Sequence, residues 1–259
     1  MSPTTPLATP ALSALVVARN EAAQLGACLE TLRFTDEVVV LLDRSTDASA
    51  AIARGAGAKL VEGAWDLEGP RRNAGYAACA GPWILEVDAD ERVTPELAAE
   101  IAAALAAPKT DYFLVPMANH IGRRLVRYGW GAYNGVAAKP VLFRKGAKRV
   151  LGGRVHPKIE LYGKRQTLET PMLHFVDRDF SDLFARLNRY TDLAALDARD
   201  AGRKPNVAQA FRRFWSRGWK SYVARKGYRE GAYGMALALF SALYPLLIEL
   251  KLTTLGDKA

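Results

Sequence analysis

Two cysteines and three histidines in 259 residues leave this chain little soft-ligand chemistry. Cys28 and Cys79 stand singly, with neither metal-ligand nor redox spacing, so both are expected to be buried free thiols, as suits a reducing compartment. Long apolar runs are scarce as well. The run Met235–Ile248 has fourteen residues, short of the roughly 20 that cross a bilayer, so no spanning helix is expected. Residues Met1–Pro10 are rich in Thr and Pro and lack the basic-then-apolar order of a secretory signal, which predicts a short disordered lead. No internal repeat or low-complexity tract occurs.

What is present is the composition of a globular protein: half the residues are hydrophobic and 24% charged. Lys and Arg outnumber Asp and Glu by 36 to 27, a formal charge of +9. That excess points to an anionic partner: nucleic acid, a membrane surface or a phosphorylated substrate.

Apolar runs of strand length alternate with helical patterns through the first hundred residues. Leu12–Ala18, Glu37–Leu42, Ala58–Val61 and Trp83–Val87 read as strands, and the intervening segments carry helical spacing. This alternation predicts right-handed βαβ units and a Rossmann-like α/β sheet. Ligands of such sheets sit at the carboxyl ends of the strands, where Arg19, Asp43 and Asp88 fall. Asp88 and Asp90 end the fourth strand two residues apart. In extended backbone they would share one side and face one hard cation; alternatively, they are solvated or cap the helix that Thr94-Pro95 opens.

After about residue 110 the alternation breaks down. A loop over Asn119–Asn134 is long enough to bind an acceptor or to be a plain surface excursion. From Arg199 to Glu230, ten Lys/Arg face two acids and are interleaved with Phe211, Phe214, Trp215, Trp219, Tyr222 and Tyr228. With the apolar run that follows, this is the make-up of a membrane-surface anchor. The other reading is a helix packed on the rest of the chain or on a second copy in a homo-oligomer.

The motifs Val16-Val17-Ala18-Arg19-Asn20-Glu21, Asp43-Arg44-Ser45-Thr46-Asp47, Arg71-Arg72-Asn73 and Leu85-Glu86-Val87-Asp88-Ala89-Asp90-Glu91-Arg92-Val93 occur in an order and spacing that resembles the inverting glycosyltransferases of family 2. Within them the chain is similar to the branch that adds glucose to heptose of the lipopolysaccharide inner core. The resemblance implies a GT-A fold, expected over residues 1–200, and the change of composition makes 201–259 a basic, aromatic, helical, membrane-associating extension. It implies that Ala18, Arg19, Glu21, Asp43, Arg72 and Asp88 bind a nucleotide-sugar, a UDP-hexose first of all. It implies that Asp88 and Asp90, joined by His174, hold a divalent cation, Mg²⁺ or Mn²⁺. The family's His-Glu is replaced here by His156-Pro157, so the base is Glu160, the nearest carboxylate, or His156 itself. The implied acceptor is a lipid-linked or lipopolysaccharide-core glycan, and the implied place is the inner face of the cytoplasmic membrane.

Three alternatives stay open at this level. One is a polyprenyl-phosphate or polysaccharide glycosyltransferase, and another a non-catalytic sugar-binding relative. The third, a nucleic-acid-binding protein, is not expected, because two carboxylates at a strand end repel phosphate unless a cation lies between.

Overall fold

The apolar runs become strands, and each strand stops where the sequence turns polar. The computed structural model describes residues 11–131 and 136–256; the Met1–Pro10 lead and residues 132–135 of the Asn119–Asn134 loop lie outside the described residues. In chain order the first elements are β1 (Leu12–Ala18), α1 (Ala22–Glu30), β2 (Glu37–Asp43), α2 (Ser49–Gly55), β3 (Lys59–Gly63), α3 (Glu68–Ala78), β4 (Trp83–Asp88), β5 (Glu91–Arg92) and α4 (Pro95–Ala106). Then come β6 (Tyr112–Ile121), β7 (Arg124–Leu125), β8 (Ala138–Arg144), β9 (Lys148–Leu151), β10 (Lys158–Leu161), β11 (Arg165–Thr167) and β12 (Met172–Asp177). Three long helices follow: α5 (Phe180–Asp200), α6 (Val207–Trp219) and α7 (Ala232–Gly256).

Packing divides the chain into two units. The first comprises Met1–Val115, Pro140–Leu151 and Ile159–Met172; the second comprises Pro116–Lys139, Gly152–Lys158 and Leu173–Ala259. These units do not coincide with the compositional division at residue 200. Helix α5 belongs with α6 and α7, because its apolar stripe (Leu183, Leu187) is buried in the same cluster as Leu237 and Phe240 of α7.

In the first unit β1 is flanked by β2 and β4, both parallel to it, with β3 beyond β2. Strand β1 is buried along its whole length, as a parallel strand covered on both faces must be. Beyond β4 the sheet turns antiparallel at β8, with Ile84 opposite Phe143. Leu15, Val39, Leu41, Ile84 and Phe143 form the core, and Tyr76 of α3 closes it. Gly75 lets α3 lie against β1: a Cβ there would come within 2.7 Å of the Leu15 side chain. Helix α4 begins as its sequence predicts, with Thr94 Oγ1 accepting the Leu97 N–H at 3.2 Å and Pro95 at the first helical position.

In the second unit β6 turns back through β7, pairing Ile121 with Arg124. The segment expected to be a long loop is therefore a hairpin and its anchored continuation. Trp130 is buried, and the Glu230 carboxylate accepts the N–H groups of Arg127 and Tyr128 at 2.7 and 3.0 Å.

Helix α7 corrects the expectation that no segment is long and apolar enough to span a membrane. Its Ala232–Leu255 stretch meets that measure by length and composition, and half of an eighteen-residue part of it is buried within the fold. The sequence count stopped at the apolar run, whereas the helix starts before it, continues through Pro245 and tolerates the buried Ser241 and Glu249. Leu237, Phe240 and Tyr244 pack against Leu183 and Leu187, so α7 is the core helix of its unit. Leu237→Ala should accordingly lower stability by about 3 kcal/mol, read by urea denaturation in detergent-free buffer. A helix whose apolar surface serves only lipid would show almost no loss.

Candidate active site

Register brings the predicted strand-end residues to one edge of the sheet. Val17 lies opposite Asp88 and Ala18 opposite Leu42, so Ala18, Asp43 and Asp88 end adjacent strands side by side. Strand order reverses between β1 and β4, and there a crevice opens in sheets of this topology.

The loops after β1 and β2 are stitched together. Asn20, in left-handed backbone (φ 56°), accepts the Thr46 N–H at 2.8 Å and donates its own N–H to Ser45 Oγ at 3.1 Å. Ala22 N–H donates to Asp47 at 2.9 Å, and Glu21 N–H to Ser49 Oγ at 3.1 Å. Asn tolerates the left-handed conformation better than most residues, which accounts for it at this turn. Glu21 stands half-buried at the start of α1, and Arg19 is exposed at the edge.

Asp43 is 2% exposed and well provided with donors. Arg44 reaches it with Nε at 2.9 Å and Nη2 at 3.2 Å, the Trp65 N–H at 3.1 Å and Arg71 Nη1 at 3.4 Å. Burial alone would raise its pKa, but these hydrogen bonds and the Arg44 and Arg71 charges outweigh burial and hold it below the ordinary carboxylate value. Arg71 also binds Glu68, while its buried Nε finds no protein acceptor among the described residues.

Behind Asp88 lies a buried charge network. Glu86, in the middle of β4, is 3% exposed. Its carboxylate takes Lys148 Nζ at 2.5 Å, the Tyr76 hydroxyl at 2.8 Å and the Arg72 guanidinium. Arg72 continues to Asp88 Oδ1 at 3.2 Å and to Glu68 at 3.1 Å. Burial would push the Glu86 pKa up, but the Lys148 and Arg72 charges win and bring it down to about 2. Burial likewise opposes the charge on Arg72, and Asp88, Glu86 and Glu68 more than offset it, so its pKa lies well above its ordinary value. Asn73 fastens β9, which carries Lys148, by a pair of bonds to the Val150 backbone at 2.8 and 3.1 Å.

Asp90 is not in extended backbone. Strand β4 stops at Asp88, and Ala89-Asp90 form a turn, so a turn, not strand alternation, places the second carboxylate. Glu91, 1% exposed, holds this turn by accepting the Asp88 N–H at 2.9 Å. Arg92 donates to the Ala89 and Glu91 carbonyls at 2.7 and 2.6 Å. Cys28 lies against the same strand end, its thiol 3.6 Å from the Asp88 carbonyl. Burial pushes that thiol up to about 12, as it does Cys79, so both are inert free thiols.

The remaining candidates divide between the two units. His174 is buried in the second unit with Nδ1 2.8 Å from Asn119 Oδ1. Among the described residues no three His, Cys, Asp or Glu side chains gather as a metal-ligating group. Glu160 lies on β10 in the first unit and accepts the Tyr162 hydroxyl at 2.8 Å. His156 belongs to the second unit, in left-handed backbone (φ 50°), its ring 5.5 Å from that of Tyr190 and 6.0 Å from that of Tyr244. Glu91, Arg92, Lys148 and Tyr76 were not singled out from sequence. Glu86, Glu91 and Arg92 stand inside the motif that ends the fourth strand, whereas Lys148 and Tyr76 lie outside every motif.

Residues 13–162 match the glycosyl transferase family 2 model. The chain is 28% identical to the lipopolysaccharide core biosynthesis glycosyltransferase LpsC of Rhizobium meliloti, over 93% of this chain and 91% of that one. It is 26% identical to an uncharacterized glycosyltransferase of Rickettsia bellii, over 96% and 88%. Among solved structures it resembles residues 1–349 of S. aureus TarS, crystallised with UDP-GlcNAc (TM-score 0.53, 14% identity, 96% of this chain and 92% of that one). That likeness shows the fold, which is of the GT-A type. Other solved neighbours are matched over less than half their length.

The charge network yields a pH dependence. A carboxylate depressed from 4.5 to about 2 adds stability that is complete above the unfolded value and is lost as pH falls towards 2. Wild type should lose about 3 kcal/mol from this group across that window. Glu86→Gln should be less stable at neutral pH and flatter through the same range. Lys148→Met, which leaves Glu86 without its nearest cation, should cost about 3 kcal/mol at pH 7. Urea titrations from pH 2.5 to 7 read all three; equal acid slopes in wild type and Glu86→Gln would refute the assignment.

Proposed function

The chain belongs to glycosyl transferase family 2, and from that premise we propose that it is an inverting hexosyltransferase. It moves a sugar from a uridine diphosphate sugar to a lipid-linked glycan, in building the lipopolysaccharide core or a related envelope glycan. The observation that carries the proposal is the row Ala18, Asp43, Asp88 along one sheet edge, backed by two arginines and a buried N–H of Arg71 that finds no acceptor among the described residues. A ligand oxygen would complete that donor. LpsC, a relative along nearly the whole chain, supports a lipopolysaccharide-core acceptor, and the UDP-GlcNAc bound to TarS makes a uridine nucleotide the first donor to try.

Asp88 and Asp90 fit a divalent cation, Mg²⁺ or Mn²⁺: hard ions take oxygen ligands, commonly one or two carboxylates, and leave other positions to phosphate. Bound there, the ion supplies positive charge against the leaving diphosphate. The chain's own residues do the rest. Arg72 and Glu91 fix Asp88 and its turn, so that carboxylate is oriented before the donor arrives. Asp43, with Arg44 and Arg71, orients the nucleoside. Glu160 or His156 takes the proton of the acceptor hydroxyl. The new bond to the anomeric carbon forms as the bond to the diphosphate breaks, with inversion. Glu160 shares the first unit with the donor residues, which favours it. A lipid-linked acceptor sets the enzyme at the inner face of the cytoplasmic membrane.

Transfer of labelled sugar from UDP-hexoses to detergent-solubilised core glycolipid tests the proposal. Asp90→Ala should lower turnover by about a hundredfold or more. Of Glu160→Gln and His156→Ala, the variant lacking the base should lose about 10²–10⁴-fold in kcat while still binding UDP. Full activity in both would remove both base candidates. Transfer to polyprenyl phosphate instead of core glycan would reassign the acceptor, and no transfer from any nucleotide-sugar would overturn the enzyme reading.

A further inference from the structure

We propose that α6 is an interfacial helix that seats this protein on an anionic lipid bilayer. It stands independently of the donor assignment, because it rests on how one helix is turned.

An amphipathic helix of a water-soluble fold buries its large apolar residues and exposes its polar ones. Helix α6 departs from that. Its one fully buried residue is Ala210, and it meets α7 at Gly218, where a Cβ would lie 3.4 Å from the Ala242 Cβ. Small residues thus make the inward contact together with Phe214, which is half-buried. The bulkiest residues point out: Phe211, Trp215 and Trp219, four residues apart, are 55, 64 and 68% exposed. Rings four residues apart fall on one side of a helix, and Phe211 and Trp215 touch edge to face at 6.2 Å. Val207, one turn earlier, extends the stripe and is also exposed. Contiguous exposed apolar surface on this scale marks an interaction site.

The neighbours of the stripe name the partner. Arg212 is exposed on the flank of the stripe, and Arg213 and Lys220 are exposed further round the helix, within the segment where ten basic residues face two acids. Tryptophan prefers the headgroup level of a bilayer and the cations meet anionic lipid, each worth a similar increment of binding. A second copy of the chain fits poorly, because the same positive charge would meet itself. Nucleic acid also attracts arginine and aromatic side chains, but base stacking uses rings set in a groove that tracks a strand; here they form an unbroken stripe along one convex helix. The longer apolar helix α7 is not the anchor, since half of an eighteen-residue part of its membrane-length stretch is buried in the fold.

Flotation of the full chain with vesicles tests the proposal, using phosphatidylcholine alone and phosphatidylcholine with phosphatidylglycerol. Wild type should float with the anionic vesicles at low salt and be released as salt rises. Trp215→Ser/Trp219→Ser should lower the partition coefficient at least tenfold. Arg212→Glu/Arg213→Glu should abolish the preference for anionic vesicles. Circular dichroism and retained UDP binding confirm that the variants are folded and keep failure here separate from failure of the donor assignment. Wild type that stays with the buffer, or a tryptophan variant that floats as wild type does, would overturn the proposal. So would displacement of protein from vesicles by a short RNA at equal phosphate, or a dimer that the tryptophan variant converts to monomer.

Discussion

A carboxylate inside a central strand sets the terms for the rest of the first unit. Glu86 has no water to stabilise its charge, and an uncompensated ion in such surroundings would cost many kcal/mol. The fold answers with Lys148 from β9 and Arg72 from α3, the Tyr76 hydroxyl completing the shell. Arg72 also reaches Asp88. Charge compensation of the core and orientation of the candidate site therefore run through one guanidinium. The strand end is organised before any ligand arrives, which is the condition for electrostatic stabilisation of a leaving diphosphate.

The second unit separates two tasks that composition had merged. The basic, aromatic segment and the apolar run after it read together as one anchor. In the structure α7 supplies the core of its unit, with Leu237, Phe240 and Tyr244 against α5, whereas α6 turns its rings outward. Neither hydrophobicity nor charge distinguishes these roles. The distinction lies in which residues are small at the α6–α7 contact, Ala210 and Gly218, and which are left outside.

The first four strands, and Asp43 and Asp88 at the ends of two of them, were legible because uninterrupted apolar runs bounded by polar residues leave few other arrangements in an alternating α/β chain. The Asp90 geometry was not, since a strand's two-residue alternation was extended one turn too far. Lys148 lies 62 residues from Glu86, and no local pattern connects them; only the crossing of α3 by β9 does. Glu91 was visible as a letter in a motif, but its function as acceptor for the Asp88 N–H is a tertiary fact. The Asn119–Asn134 segment looked free because its anchor, Glu230, comes about a hundred residues later, with 103 separating it from Arg127. Helix α7 was undercounted because helix length follows packing as well as hydrophobicity.

The central claim is that the shared edge of β1, β2 and β4 receives a nucleotide diphosphate through Asp88 and Asp90. Calorimetric titration of UDP against wild type and Asp88→Asn, each with and without Mn²⁺, tests it most directly. The account predicts UDP binding to wild type that strengthens with Mn²⁺, and binding to the variant that no longer responds to the ion. Equal, metal-insensitive binding by both proteins, or none by either, would contradict it.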